Sequence, residues 1–162
     1  MTLLSKVKYP VYVPTTGRWA DCTTARLLQM EDVPFRLVVE PQEEENYKKY
    51  HNENNILTLP FSNLGSVTHA RNWIKKHASE SGHKRHWQFD DDIKGLQFWK
   101  QGKRIDATAE FVLTNCETFV DRYKNVAISG LKHSCFGYSI DSPFKKNRQV
   151  YTCVLVLNEL PF

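Results

Sequence analysis

The sequence predicts an α/β fold, with a mostly parallel central sheet flanked by helices. Three observations carry that expectation. Short β-rich runs alternate with helical patterns at the spacing of βαβ units. Prolines and glycines punctuate the ends of those runs. Polar and charged residues collect where the strands finish, and in parallel sheets ligands bind beyond the carboxyl ends of the strands.

The elements follow in order. Residues 7–13 are β-rich and form the expected first strand, with Pro10 marking an irregular or edge start. A hydroxyl-rich turn, Pro14-Thr15-Thr16-Gly17-Arg18, comes next. Asp21 is placed to cap a helix running to Met30, and Val33-Pro34 stops it. Residues 35–40 are a second strand, closed by Pro41, and residues 43–50 a polar, solvent-facing helix. A short third strand, 56–59, ends at Pro60. The loop 61–66 then opens a helix with Val67, Ala70, Ile74 and Ala78 on one face, finished near Gly82.

The second half reads differently. Residues 95–105 form a hairpin turning at Gln101-Gly102. Residues 108–123 are a helix with Phe111, Val112, Cys116, Phe119 and Val120 inward, which leaves Glu110, Glu117 and Asp121, with the neighbouring Asp106, on the solvent side. Residues 125–130 are another buried strand. Residues 133–138 are expected to pair with 149–157 across the basic loop 145–148, and Asp141 has no assigned place.

The stretch richest in chemistry is His86-Trp87-Gln88-Phe89-Asp90-Asp91-Asp92-Ile93. Alternating aromatics suit a buried strand, and three carboxylates follow at once. Like charges at a strand end resist burial unless a cation neutralises them. Carboxylates two residues apart can face one divalent ion, with hard oxygen ligands suited to Mg²⁺ or Mn²⁺. A solvated acidic turn is the plainer alternative.

Composition narrows the classes. The 162 residues, 41% hydrophobic and 25% charged, suffice for one core. No apolar run approaches the ~20 residues of a membrane span, and the N-terminus has no signal-peptide core, so a cytoplasmic setting is expected. The four cysteines, Cys22, Cys116, Cys135 and Cys153, show no paired spacing and are expected to be reduced thiols. A formal charge of +4 permits nucleic-acid contact without arguing for it. His77, His83 and His86, among Lys75, Lys76, Lys84 and Arg85, match no zinc spacing and read as a solvated basic face. Trp73, Trp87 and Phe98 read as core, while Trp99, beside Lys100 and Lys103, is the aromatic suited to stacking on a base.

Several blocks occur in an order that resembles a known family: Tyr9-Pro10-Val11-Tyr12, Gly17-Arg18-Trp19, the run 33–43, Leu59-Pro60-Phe61-Ser62-Asn63-Leu64-Gly65, Ala70-Arg71-Asn72-Trp73, and Trp87-x-Phe89-Asp90-Asp91-Asp92-Ile93-x-Gly95, with Tyr151-Thr152-Cys153-Val154-Leu155 near the end. Each is weak alone, and the ordered set is specific. Together they resemble the TET-associated glycosyltransferases, a largely phage-encoded group. The resemblance implies a GT-A-like, Rossmann-type fold. It also implies transfer of a sugar from a nucleotide-sugar donor, a UDP-sugar foremost, to 5-hydroxymethylpyrimidines in DNA, such as hydroxymethylcytosine.

By position, Asp92 takes the metal role and Asp90 the donor role, with a share in the metal; Asp91 stays undecided between them. Mn²⁺ or Mg²⁺ is the implied cofactor. Arg71 and Asn72 stand in the first turns of a helix whose positive end favours anions, so Arg71 either bridges the diphosphate or pairs with an aspartate. Thr15 and Arg18 would meet the nucleotide, and Glu40 its base or ribose. The family continues past the equivalent of Pro161-Phe162 into a Trp/Arg/Tyr-rich segment with a Glu-Asp pair. Residues 1–95 are accordingly expected to form the donor-binding half of a single domain and 96–162 an incomplete acceptor-side half, with no catalytic base assigned. Two other classes remain: a nucleotidyltransferase, which would more typically carry a Gly-rich phosphate loop, and a non-catalytic nucleotide-sugar or nucleic-acid binding module.

Overall fold

The computed structural model describes residues 5–62, 65–133 and 144–160. Its elements are β1 (Val11–Pro14), α1 (Thr23–Met30), β2 (Phe35–Val39), α2 (Glu44–Lys48), β3 (Ile56–Thr58), α3 (Val67–Glu80), β4 (Arg85–Phe89), β5 (Leu96–Lys100), β6 (Lys103–Ala107), α4 (Ala109–Val120), β7 (Ile128–Gly130) and β8 (Cys153–Leu157). Six of the described strands make one sheet in the order β3-β2-β1-β4-β8-β7, and β5 and β6 form a separate ribbon. β1 runs parallel to β2 and β4, and β2 to β3. β8 is antiparallel to both its neighbours, β4 and β7. The architecture is mixed α/β with a mostly parallel sheet, as the alternation predicts.

Each sheet face has its own apolar cluster. On one face Val11, Val13, Leu37, Trp87, Phe89 and Leu155 meet Ala25 and Leu28 of α1 and Ala109, Leu113 and Val120 of α4. On the other, Tyr12 and Val38 meet Ala70, Ile74 and Ala78 of α3. The period of two in the strands therefore decides which helix each residue touches. β4 is buried along its whole length because both its faces are covered.

The structure departs from the sequence expectations in several places. The first strand begins after Pro10, because the backbone N–H groups of Lys8 and Tyr9 donate to the Glu117 carboxylate instead of joining the sheet. Asp21 does not cap α1. Cys22 holds that position without a side-chain bond to the helix, and the N–H of Thr24 is satisfied by the Asp91 carbonyl at 3.3 Å. Val67 and Phe111 are exposed at the first turns of their helices, and Ile128 is exposed in the strand expected to be buried. Tyr47 is fully buried in the helix expected to face solvent.

Arg85 and His86 do not belong to a solvated basic face. They lie in the central strand β4 and are fully buried. Arg85 Nη1 donates to the Val126 carbonyl at 2.8 Å, and its Nε stands 3.5 Å from Asp121. Glu117 and Asp121 likewise turn inward. Glu117 accepts from Lys8 N, Tyr9 N and Trp87 Nε1 at 2.9, 3.2 and 2.8 Å, and Asp121 accepts from Tyr9 Oη and Lys8 Nζ. The pairing expected for 133–138 falls mostly outside the described residues, as do Cys135 and Asp141. Cys22, Cys116 and Cys153 are free thiols, as expected, and burial pushes the Cys153 thiol up to about 12.

Candidate donor site

The strand order reverses direction at β1. β2 and β3 lie to one side of it and β4 to the other, so the carboxyl ends of β1 and β4 diverge into a crevice. A cavity of about 500 Å³ opens there, lined by Pro14, Thr15 and Thr16 after β1, Val38 and Glu40 around the end of β2, Leu59, the start of α3 with Arg71, and Asp90, Asp91 and Asp92 after β4. Ser66 caps α3, accepting from Thr68 N at 3.3 Å, and both Ser66 and Val67 line the cavity. The positive end of α3 is therefore presented to it.

The aspartate turn is pinned by its backbone, which leaves its side chains to the crevice. Thr24 Oγ1 donates to the Asp90 carbonyl at 2.6 Å and accepts from Ile93 N at 2.8 Å. The Cys22 thiol donates to the Asp91 carbonyl, and Asp90 N donates to the Thr152 carbonyl at 2.7 Å. The start of α1 and the segment entering β8 thus clamp the turn from two sides.

The three carboxylates have different surroundings. Asp90 Oδ1 accepts from Arg71 Nη2 at 2.6 Å. Burial pushes the Asp90 carboxyl above its ordinary value; Arg71 opposes that shift, and the charges of Asp92 and Asp91 add to it. Asp91 Oδ2 accepts from Thr15 Oγ1 at 2.8 Å, and Arg18 Nε lies 3.4 Å from Asp91 Oδ1. Because Thr15 commits its one proton to Asp91, Tyr47 donates to Thr15 Oγ1 at 2.8 Å, and the Tyr47 oxygen accepts from Arg18 N at 3.2 Å. Burial pushes the Tyr47 phenol up to about 12, so it stays a donor. Asp92 is exposed and has no protein partner among the described residues.

The loop after β1 is fixed by α2 as well. Thr16 Oγ1 and Gly17 N both donate to Glu43, at 2.9 and 2.8 Å, and Gly17 takes a φ of +67°, which suits a residue without a Cβ.

Of the residues singled out in the sequence, Thr15, Glu40, Arg71, Asp90, Asp91 and Asp92 come together around the cavity. Arg18 reaches it through Asp91, and Asn72 is exposed on α3 outside the lining. Arg71 pairs with an aspartate, and its Nε is buried without a partner among the described residues. Tyr47 and Thr24 were missed. Tyr47 sits in a charged run with no apolar period, and nothing local marks Thr24 as a backbone clamp.

No group of three or more His, Cys, Asp or Glu side chains converges as a metal cage among the described residues. The donor set nevertheless fits a hard divalent ion that keeps waters and phosphate oxygens. Asp92 is unpaired, and Asp90 has one oxygen beyond its bond to Arg71.

Comparison with known proteins identifies a family. The family described as TET-Associated Glycosyltransferase matches residues 9–162. No curated protein and no solved structure gives a significant match.

Proposed function

The chain belongs to the TET-Associated Glycosyltransferase family, and from that premise we propose that it moves a sugar from a nucleotide sugar, a UDP-sugar foremost, to 5-hydroxymethylpyrimidines in DNA on a GT-A-like scaffold. The observation that carries this reading is the aspartate turn facing Arg71 across a crevice at the strand-order reversal. A nucleoside diphosphate needs a cation for its phosphates, acceptors for its hydroxyls and a concave place to lie. All three are present.

In this reading Thr15, Arg18 and Glu40 hold the nucleotide, Arg71 and the positive end of α3 take the diphosphate, and Asp90 orients a sugar or ribose hydroxyl. Asp92, with Asp90, would hold Mn²⁺ or Mg²⁺. Bound there, such an ion would supply positive charge against the departing diphosphate. Asp91 serves as a fixed strut: Thr15 and Arg18 already occupy its oxygens, and it ties the β1 loop to the β4 turn.

Mass spectrometry of hydroxymethylated DNA incubated with UDP-glucose and Mn²⁺ tests the reading. Wild type is expected to add a hexose. Asp92→Ala is expected to lose both transfer and the Mn²⁺-dependent thermal shift caused by donor, while the metal-free melting temperature stays level or rises as like-charge repulsion falls. An Asp92→Ala protein with an unchanged Mn²⁺ dependence would remove the metal assignment.

A further inference from the structure

Trp19 and Trp73 pack against the two core clusters and Trp87 lies within one, whereas Trp99 joins neither. It stands on the β5–β6 ribbon, which is separate from the main sheet. The register gives the ribbon two faces. Leu96 opposite Ala107 and Phe98 opposite Ile105 form the inner one, which is anchored by Leu96 in the core and by Phe98 against Phe111 of α4 at 5.3 Å. The outer face carries Trp99 opposite Arg104 and Gln97 opposite Asp106. Gln97 Nε2 donates to Asp106 Oδ1 at 2.8 Å, so the one carboxylate of that face is engaged locally. Lys100 and Lys103, two residues on from the Phe98–Ile105 pair and so on that same face, pair at the tip, both exposed. Like charges opposite each other destabilise a ribbon. A two-stranded ribbon is already marginal by itself, so this pairing does not serve its stability.

The ribbon's place gives the pattern meaning. β5 starts four residues after Asp92, at the end of β4 that bears the aspartates. A second basic segment, Lys145, Lys146 and Arg148, is exposed on the chain leading to Thr152, whose carbonyl holds Asp90 N. Phe144, at its start, packs on Phe119 of α4 at 5.1 Å. The ribbon therefore follows directly on the aspartate turn and bears an indole beside a guanidinium.

We infer that the β5–β6 ribbon is the DNA-binding element of this protein: a single strand crosses its tip, where Lys100 and Lys103 on one face take the phosphates and Trp99 on the other stacks an unpaired base. The inference rests on the acceptor reading above and adds where the acceptor lies. A polyanion complements the cations, every base offers a π-face to an indole, and a base that has left the duplex stack is free to enter a crevice.

Fluorescence anisotropy of a labelled single-stranded oligonucleotide containing 5-hydroxymethylcytosine, titrated with the full chain from about 50 to about 200 mM salt, tests it. Trp99→Ala is expected to weaken binding about tenfold, and Trp99→Phe to restore most of it. Lys100→Ala/Lys103→Ala is expected to lower the slope of log affinity against log salt by roughly 1.4, at about 0.7 per phosphate contact on a single strand. The thermal shift with UDP-glucose should be the same in all variants, which separates the ribbon from the donor site. Wild-type affinity and slope in both Trp99→Ala and the lysine pair would overturn the inference and leave the donor reading standing. No DNA binding by wild type at the lowest salt would overturn it together with the acceptor reading.

Discussion

Arg71 Nη2 lies 2.6 Å from Asp90 Oδ1, while Nε of the same guanidinium is buried without a partner. The pair joins α3 to the end of β4 across the crevice. One bond to a carboxylate leaves a planar fork with donors to spare, suited to a second oxyanion. An incoming diphosphate would thus find its cation already oriented.

Arg71→Ala is expected to weaken UDP-glucose binding about tenfold or more, since a hydrogen bond to a charged group is worth roughly 1.5–3 kcal/mol. Arg71→Lys should recover only part of the loss, because an ammonium offers a point charge in place of a fork. Isothermal titration calorimetry reads both. Equal affinity in Arg71→Ala and wild type would end the phosphate role.

Glu117 is the acceptor for three N–H groups from distant parts of the chain: Lys8, Tyr9 and Trp87. Glu117→Ala leaves all three without their partner. Its expected cost is about 3–5 kcal/mol, the scale for breaking a buried charge-assisted network. Glu117→Gln keeps one acceptor oxygen and should cost less. Urea denaturation monitored by tryptophan fluorescence gives the comparison, and a loss under about 1 kcal/mol in Glu117→Ala would contradict the geometry.

His86 carries the expected acid sensitivity. It is fully buried beneath α3, its Nδ1 bonded to Asn158 Oδ1 and its Nε2 accepting from Gln88 Nε2 at 2.8 Å. Burial pushes it down to about 4, the Asn158 bond opposes that shift, and Lys75 and His83 add to it; Tyr12 packs edge-on at 5.9 Å. The unfolded imidazole titrates near 6.5. Between those values only the unfolded chain takes up the proton, so stability falls as pH drops from about 6.5 to about 4 and then levels. The integrated loss is about 3 kcal/mol. Denaturation midpoints across that window should show it in wild type and lack most of it in His86→Gln; a flat wild-type profile would refute the assignment.

Gly130 pairs with Val154 in the β7–β8 ladder. A Cβ built there would collide with the Val150 side chain and the Cys153 carbonyl. The carbonyl cannot step aside without moving β8. Gly130→Ala is therefore expected to cost about 1–3 kcal/mol, the range for overpacking. A thermal melt within a degree or so of wild type would show that the strands yield more easily than their packing implies.

The aspartate turn is legible in the sequence because its signal is local: an aromatic alternation running straight into three charges. The turns after β1 and before α3 are legible for the same reason, as hydroxyl, glycine and proline clusters between periodic runs. Glu117 and Asp121 are not legible. A carboxylate on a helix normally faces water, and theirs are drawn inward by Lys8, Tyr9, Arg85 and Trp87, each far away in sequence. Tyr47 is hidden likewise, since its burial is made by Thr15 and by Trp19, whose ring meets it edge-on at 6.4 Å. The position of β8 between β4 and β7 has no local signature, because strand order belongs to the sheet as a whole.

That position has a consequence for how the protein is made. β4 pairs with β1 on one side early in synthesis, but its other neighbour, β8, is translated more than 60 residues later. At typical elongation rates the far side of β4 stays open for on the order of ten seconds, a bare strand edge of aromatic residues on a nascent chain. Asp90 N meanwhile lacks the Thr152 carbonyl that holds it, so the aspartate turn is clamped only from the α1 side. The crevice is thus among the last features to be completed, and a ribosome-bound intermediate would show a folded β1–β2–β3 layer before the crevice has both its walls.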